Sequence, residues 1–104
     1  MKTAVYARVA TDGQARSSLR GQVAECYQYA ASNGLEVVRV FEEVFSGIRL
    51  DRPGLERLRG MVNRREIDAV IVYRLDRLSR SAEHMKTLCD ELKEHGVALY
   101  IVKA

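Results

Sequence analysis

The chain has 104 residues, 47% hydrophobic and 30% charged, which is enough for one small globular domain and too few for two. Its formal net charge is only +3, from 17 Lys and Arg against 14 Asp and Glu, so charge alone does not establish a nucleic-acid-binding protein. The apolar runs 69–72 and 97–102 are far too short to span a bilayer, and Arg8, Asp12 and Arg16 interrupt any signal-peptide core, so a cytoplasmic protein with no membrane partner is expected.

In chain order, Thr3 to Val9 reads as a first strand, followed by a polar stretch from Thr11 to Ser18. Apolar positions at Leu19, Val23, Cys26, Tyr27, Ala30 and Ala31 predict a helix started by Ser17 or Ser18 and stopped by Gly34. Leu35 to Phe41 is a second, Val-rich strand. Glu42 to Asp51 has no helical period, and Ser46-Gly47 within it marks a loop. Asp51-Arg52-Pro53 opens a second helix, with Pro53 in its first turn and Leu55, Leu58, Met61 and Val62 as its buried stripe. Ala69 to Val72 is a continuous apolar run, as in a parallel strand covered on both faces. A basic loop, Arg74 to Arg80, follows. Ser81 caps a third helix with Met85, Leu88, Cys89 and Leu92 facing the core and Gly96 as its stop, and Val97 to Val102 is a fourth strand.

Strands alternating with helices imply βαβ crossovers, hence an α/β domain: a parallel four-stranded sheet in the order 2-1-3-4 with helices on both faces. Cys26 and Cys89 have no CxxC pair or His/Cys cluster near them, which points to structural thiols and to no metal or other cofactor. Sheets of this kind hold ligands outside the carboxyl ends of their strands. Those ends lead into Arg8 to Gln14, Glu42 to Arg52 and Arg74 to Arg80, so Arg8, Ser46, Arg52, Asp76, Arg77 and Arg80 gather on one edge. Period-two alternation puts Arg8 and residue 10 on the same side of the first strand, and Arg77 and Arg80 share a face if Arg77 begins a helical turn. Converging guanidiniums repel unless an anion sits between them, and a phosphodiester matches their paired donors. Arg57, Arg59, Arg64 and Arg65 read as solvated surface charges, and His84 and His95 as surface residues.

Four segments resemble the N-terminal catalytic domain of serine site-specific recombinases, the resolvase/invertase family. Tyr6-Ala7-Arg8-Val9-Ala10-Thr11-Asp12-Gly13-Gln14 is similar to the family's Y-x-R-V-S-T-x-x-Q opening, and Ser18-Leu19-Arg20-Gly21-Gln22 to its S-L-x-x-Q element. Ser46-Gly47 with Asp51-Arg52-Pro53 resembles its S-G…R-P segment, and Asp76-Arg77-Leu78-Ser79-Arg80 its D-R-L-x-R signature. The resemblance implies DNA as partner and substrate, cleaved and rejoined through a 5′-phosphoserine intermediate without ATP or metal. It implies that Arg8, Arg77 and Arg80 hold the phosphate and that Arg52 helps bind it or protonate the leaving oxygen indirectly. Gln22, Ser46 and Asp76 would position these groups, with Gln14 in the same shell. It also implies self-association, as a dimer and a tetramer of the full-length parent.

Two departures stand out. Residue 10, the nucleophile position, is Ala10, which has no oxygen to attack with; Thr11 in a strand faces the other way, so this chain is expected not to cleave DNA. An engineered change or a natural loss of catalysis would each produce it, and the intact polar positions around it favour the former. The chain also stops where family members continue into a long dimerisation helix and a DNA-binding domain, so residues 1–104 are expected to be a single catalytic-type domain, a fragment of a longer protein. The rival functions are a non-catalytic regulatory or DNA/partner-binding relative of a recombinase, and a receiver or flavodoxin-like domain. Against the last two, the first strand ends in Arg8 rather than an acidic cluster, and 11–14 is poor in glycine and hydroxyls for a flavin phosphate.

Overall fold

The computed structural model describes the backbone of residues 1–9, 15–44 and 52–103, and the side chains of the same residues except 15–17. Strands β1 (Lys2–Val9), β2 (Glu36–Val44), β3 (Ala69–Val72) and β4 (Ala98–Ile101) form one parallel sheet in the order β2-β1-β3-β4. The order and the α/β class are as expected. Helices α1 (Ala15–Ser32), α2 (Pro53–Asn63), α3 (Leu75–Leu78) and α4 (Ala82–Glu94) make the connections.

The sheet separates two cores. On one face Ala4, Tyr6, Phe41, Val70 and Val72 pack against Leu55, Leu58, Met61 and Val62 of α2, Leu78 of α3, and Leu88 and Leu92 of α4. On the other, Val5 and Ile71 meet Cys26 and Ala30 of α1, and Ala7 and Val9 meet Leu19. β1 lies between two strands and carries side chains to both cores, so its interior from Thr3 to Val9 is buried throughout. The α2 stripe is buried at the four expected positions, and β3 has the expected bounds. Arg59 grips Glu91 with two hydrogen bonds, Nε to Oε1 at 3.0 Å and Nη2 to Oε2 at 2.8 Å, tying α2 to α4. It is therefore a packed cross-link rather than a solvated charge.

Several boundaries differ from the sequence reading. α1 begins at Ala15, so Ser17 and Ser18 lie within its first turn and do not stand before it as caps. Its buried face runs through Leu19, Gln22, Cys26 and Ala30, while Tyr27 and Ala31 are exposed: a polar side chain, Gln22, takes a buried place that the apolar spacing does not mark. β2 continues to Val44, three residues past Phe41, because Glu42 and Glu43 keep the pairing with Ala7 and Arg8. The basic loop contains a one-turn helix, α3, too short to leave a period in the sequence. Cys89 is half-buried, not a core residue. Ser81 caps α4 as expected, accepting from the His84 amide at 3.3 Å, and Gly34 and Gly96 adopt the positive φ of helix stops. Among the described residues no helix is long and apolar enough to cross a membrane.

Ile71→Ala is expected to destabilise the domain by about 2–5 kcal/mol, because it opens a cavity in the central sheet; urea unfolding measures it. The hydrogen bonds from Arg59 hold the Glu91 carboxyl below its usual range. A carboxyl depressed on folding contributes stability above the unfolded value, and that contribution fades as pH falls through the folded value. Arg59→Gln is thus expected to be less stable than the parent at pH ~7 and to approach it at pH ~3, below the ordinary Glu value; denaturant melts at the two pH values give the difference.

Candidate active site

Arg8 and Arg52 converge on α3 at the carboxyl edge of the sheet. Arg8 is 1% exposed and Arg52 0%. An arginine cannot shed its proton to escape the cost of burial, so its donors must be met. Arg8 Nε donates to the Arg77 carbonyl at 2.9 Å and Nη2 to the Asp76 carbonyl at 2.7 Å. Arg52 Nη2 donates to the Leu78 carbonyl. Three successive carbonyls of a helix too short to satisfy them internally thus receive donors from two buried cations. The Arg52 guanidinium also lies over the Tyr6 ring, 5.6 Å from its centroid. Its Nε and Nη1 are buried and have no hydrogen-bond partner among the described residues. Burial, and next the nearby Arg52 charge, hold Arg8 below its ordinary value.

Gln22 clasps the same strand from α1. The Arg8 amide donates to Gln22 Oε1 at 3.2 Å, and Gln22 Nε2 donates to the Arg8 carbonyl at 3.0 Å. β3 pairs with β1 only as far as Tyr6 and Val72, so one side chain completes the ladder where the neighbouring strand has stopped. Arg77 is half-buried; its Nη1 lies 3.5 Å from the Arg8 carbonyl and its Nε 3.6 Å from Asp76 Oδ1. The Asp76 carboxylate is largely exposed, and its carbonyl makes the contact to Arg8.

Arg80 is not brought to this cluster. α3 ends at Leu78 and Ser79 is extended, with φ −159° and ψ 151°, so Arg77 and Arg80 do not share a helical face. Arg77 lines a cleft of about 240 Å³ with Ser18, Gln22, Glu25 and Tyr73, whereas the exposed Arg80 lines a separate hollow of about 550 Å³ with Asp76 and Ser79. Ala10, Gln14 and Ser46 lie outside the described residues, as do Thr11 to Gly13, Gly47 and Asp51.

Two residues that the sequence reading gave no role complete the network. The Tyr6 hydroxyl donates to a carboxylate oxygen of Glu43, and the Gly54 amide donates to Glu43 Oε1 at 2.6 Å. Burial, with the bond to Glu43 next, pushes the Tyr6 hydroxyl far above its ordinary range, so it stays a neutral donor. The alternation of buried Phe41 and buried Glu43 was the available signal, and it needed the second strand to run past Phe41. Among the described residues no group of three or more His, Cys, Asp or Glu side chains is placed to hold a metal ion.

Comparison with known proteins assigns the lineage. Residues 3–104 match the family described as "Resolvase, N terminal domain". The chain belongs to that family. It is 37% identical over 92 residues to the serine recombinase gin of Escherichia phage Mu, which covers 88% of this chain and 42% of that protein. Among solved structures, the C-terminal catalytic domain of ISC1926 TnpA, an IS607-like serine recombinase, superposes with a TM-score of 0.92 at 30% identity, covering 100% of this chain and 71% of that one. The N-terminal catalytic domain of TP901-1 integrase gives 0.87 at 32% identity, covering 98% and 77%. This resolvase-family chain spans less than half the length of the curated relatives it matches.

Arg8→Met keeps the aliphatic stem but leaves the Asp76 and Arg77 carbonyls without these donors. Each orphaned acceptor costs about 1–3 kcal/mol, and relief of the repulsion with Arg52 offsets part of that, so a net loss of about 1–3 kcal/mol is expected in urea melts. An unchanged midpoint would mean that Arg8 does not hold α3.

Proposed function

We propose that this chain is the catalytic-type domain of a longer DNA site-specific recombinase, and that it is chemically silent because residue 10 is alanine. With serine at that position the hydroxyl would attack the scissile phosphate, form a 5′-phosphoserine bond and release a 3′-hydroxyl. Attack by that hydroxyl on the phosphoserine would later rejoin the strand and regenerate the serine. Arg52 and Arg77 would hold the phosphate oxygens, and Arg8 would serve them by fixing the turn between them, with Gln22 anchoring the strand that carries Arg8. Arg80, Ser46, Asp76 and Gln14 remain proposed members of the site. DNA is the proposed partner, with self-association of the full-length protein, and a cytoplasmic location follows from that substrate.

The observation that carries this reading is Arg52: a wholly buried guanidinium, at the edge where parallel sheets bind ligands, with two donors unmatched among the described residues. A charge held that way is suited to an anion that arrives from outside. Ala10 itself favours the second reading, a non-catalytic relative that pairs with active subunits and tunes them.

The full-length protein with Ala10→Ser, incubated with its DNA site, separates the two. The catalytic reading expects a covalent protein–DNA adduct that survives denaturing electrophoresis and is missing with alanine. A folded, DNA-bound Ala10→Ser protein that forms no adduct would favour the regulatory relative.

A further inference from the structure

Helix α2 starts at Pro53, as the sequence predicts, but without a side-chain cap from the residue before it. The residue before it, Arg52, occupies the cap position with extended backbone, φ −89° and ψ 130°, and makes no side-chain cap. It could not: arginine has donors only, and a cap must accept. Pro53 removes one orphan amide of the first turn, which leaves Gly54 as the next donor to satisfy. Glu43, from the far end of β2, accepts from it at 2.6 Å. A carboxylate at a helix start is also favoured by the helix dipole.

The same carboxylate accepts from the Tyr6 hydroxyl, and the Tyr6 ring lies beneath the Arg52 guanidinium. Besides the Leu78 carbonyl, which takes a hydrogen bond from Nη2, two things fix the direction of Arg52, and Glu43 grips both: the backbone just after it and the aromatic face it rests on. The fit is close. A Cβ added at Gly54 would stand 3.1 Å from Glu43 Cδ and 3.1 Å from Oε1, so a glycine is needed for the carboxylate to reach the helix. Glu43 itself is buried, at 7% exposure.

We infer that Glu43 is a positioning residue for Arg52: it aims the guanidinium by holding the start of α2 and the Tyr6 hydroxyl together, without touching the anion. The inference rests on the phosphate role proposed above for Arg52, and extends it to a residue that does its work at one remove. What matters is then the shape and hydrogen-bonding of the side chain rather than its charge. Glutamine can keep both links, its oxygen accepting from Gly54 and its amide donating to the Tyr6 oxygen. Alanine can keep neither.

The test uses the chain as it stands, with inorganic phosphate as the probe and the Arg52 Nε–H signal in a nitrogen–proton correlation spectrum as the reporter. In Glu43→Ala the signal is expected to move and broaden in the phosphate-free protein, and phosphate affinity to fall about tenfold, the scale of one lost charge-assisted hydrogen bond. In Glu43→Gln both are expected to return toward the parent. A merely structural loss would lower the melting temperature in both variants and leave the Arg52 signal of the folded protein in place. If Glu43→Ala does not fold, Gly54→Ala takes its place: it displaces the carboxylate without opening a cavity, and the signal is again expected to move. An Arg52 signal indifferent to Glu43→Ala or Gly54→Ala, or a glutamine variant as impaired as alanine, overturns the inference. A parent chain whose Arg52 signal ignores phosphate while still responding to Glu43→Ala overturns the phosphate role instead, and leaves the positioning intact.

Discussion

Two positive charges that cannot be neutralised are enclosed in a domain of 104 residues, and much of the carboxyl edge of the sheet is organised around them. Desolvating a guanidinium without partners costs more than a small domain has to spare. Arg8 is therefore matched to two carbonyls and Arg52, through one of its nitrogens, to a third, all from the end of a single-turn helix whose backbone acceptors lie unused. That pairing, with Leu78 buried in the core, holds α3 in place. Four residues with an exposed leucine and an exposed aspartate have little reason to fold locally, yet their three successive carbonyls make a receptor for two cations.

The remaining contacts follow from the same requirement. Arg8 must stay at the end of β1 beyond the last pairing with β3, so Gln22 supplies from α1 the hydrogen bonds that a neighbouring strand would have given. Arg52 must stay over Tyr6, so the phenol is kept neutral and tied to Glu43. Mutual repulsion between the two arginines remains after all of this, and it holds Arg8 below its ordinary value together with burial, the larger cause. A formal net charge of only +3 across the chain conceals this concentration.

The sequence carried the framework well and the network poorly, for physical reasons. Ala69 to Val72 and the stripe Leu55, Leu58, Met61, Val62 were legible because burial on both faces, or on one helical face, writes itself directly in apolar residues. Gln22 was placed only through the resemblance, and Glu43 not at all, because a buried polar residue breaks the pattern used to find burial; each satisfies a backbone group, and backbone groups leave no trace in side-chain composition. The partners of Arg8 were hidden for the same reason, since every residue owns a carbonyl. The spacing of Arg77 and Arg80 promised a shared face, and the extended backbone at Ser79 breaks it.

The place of β1 has a consequence for how the chain is made. The strand nearest the N-terminus sits in the middle of the sheet, and its partners, β2 and β3, are supplied later. A ribosome therefore releases the apolar run from Ala4 to Ala7 long before Val70 and Ile71 exist to cover it. Until β3 has cleared the exit tunnel this segment has one available flank, and its other edge and part of its apolar surface stay uncovered.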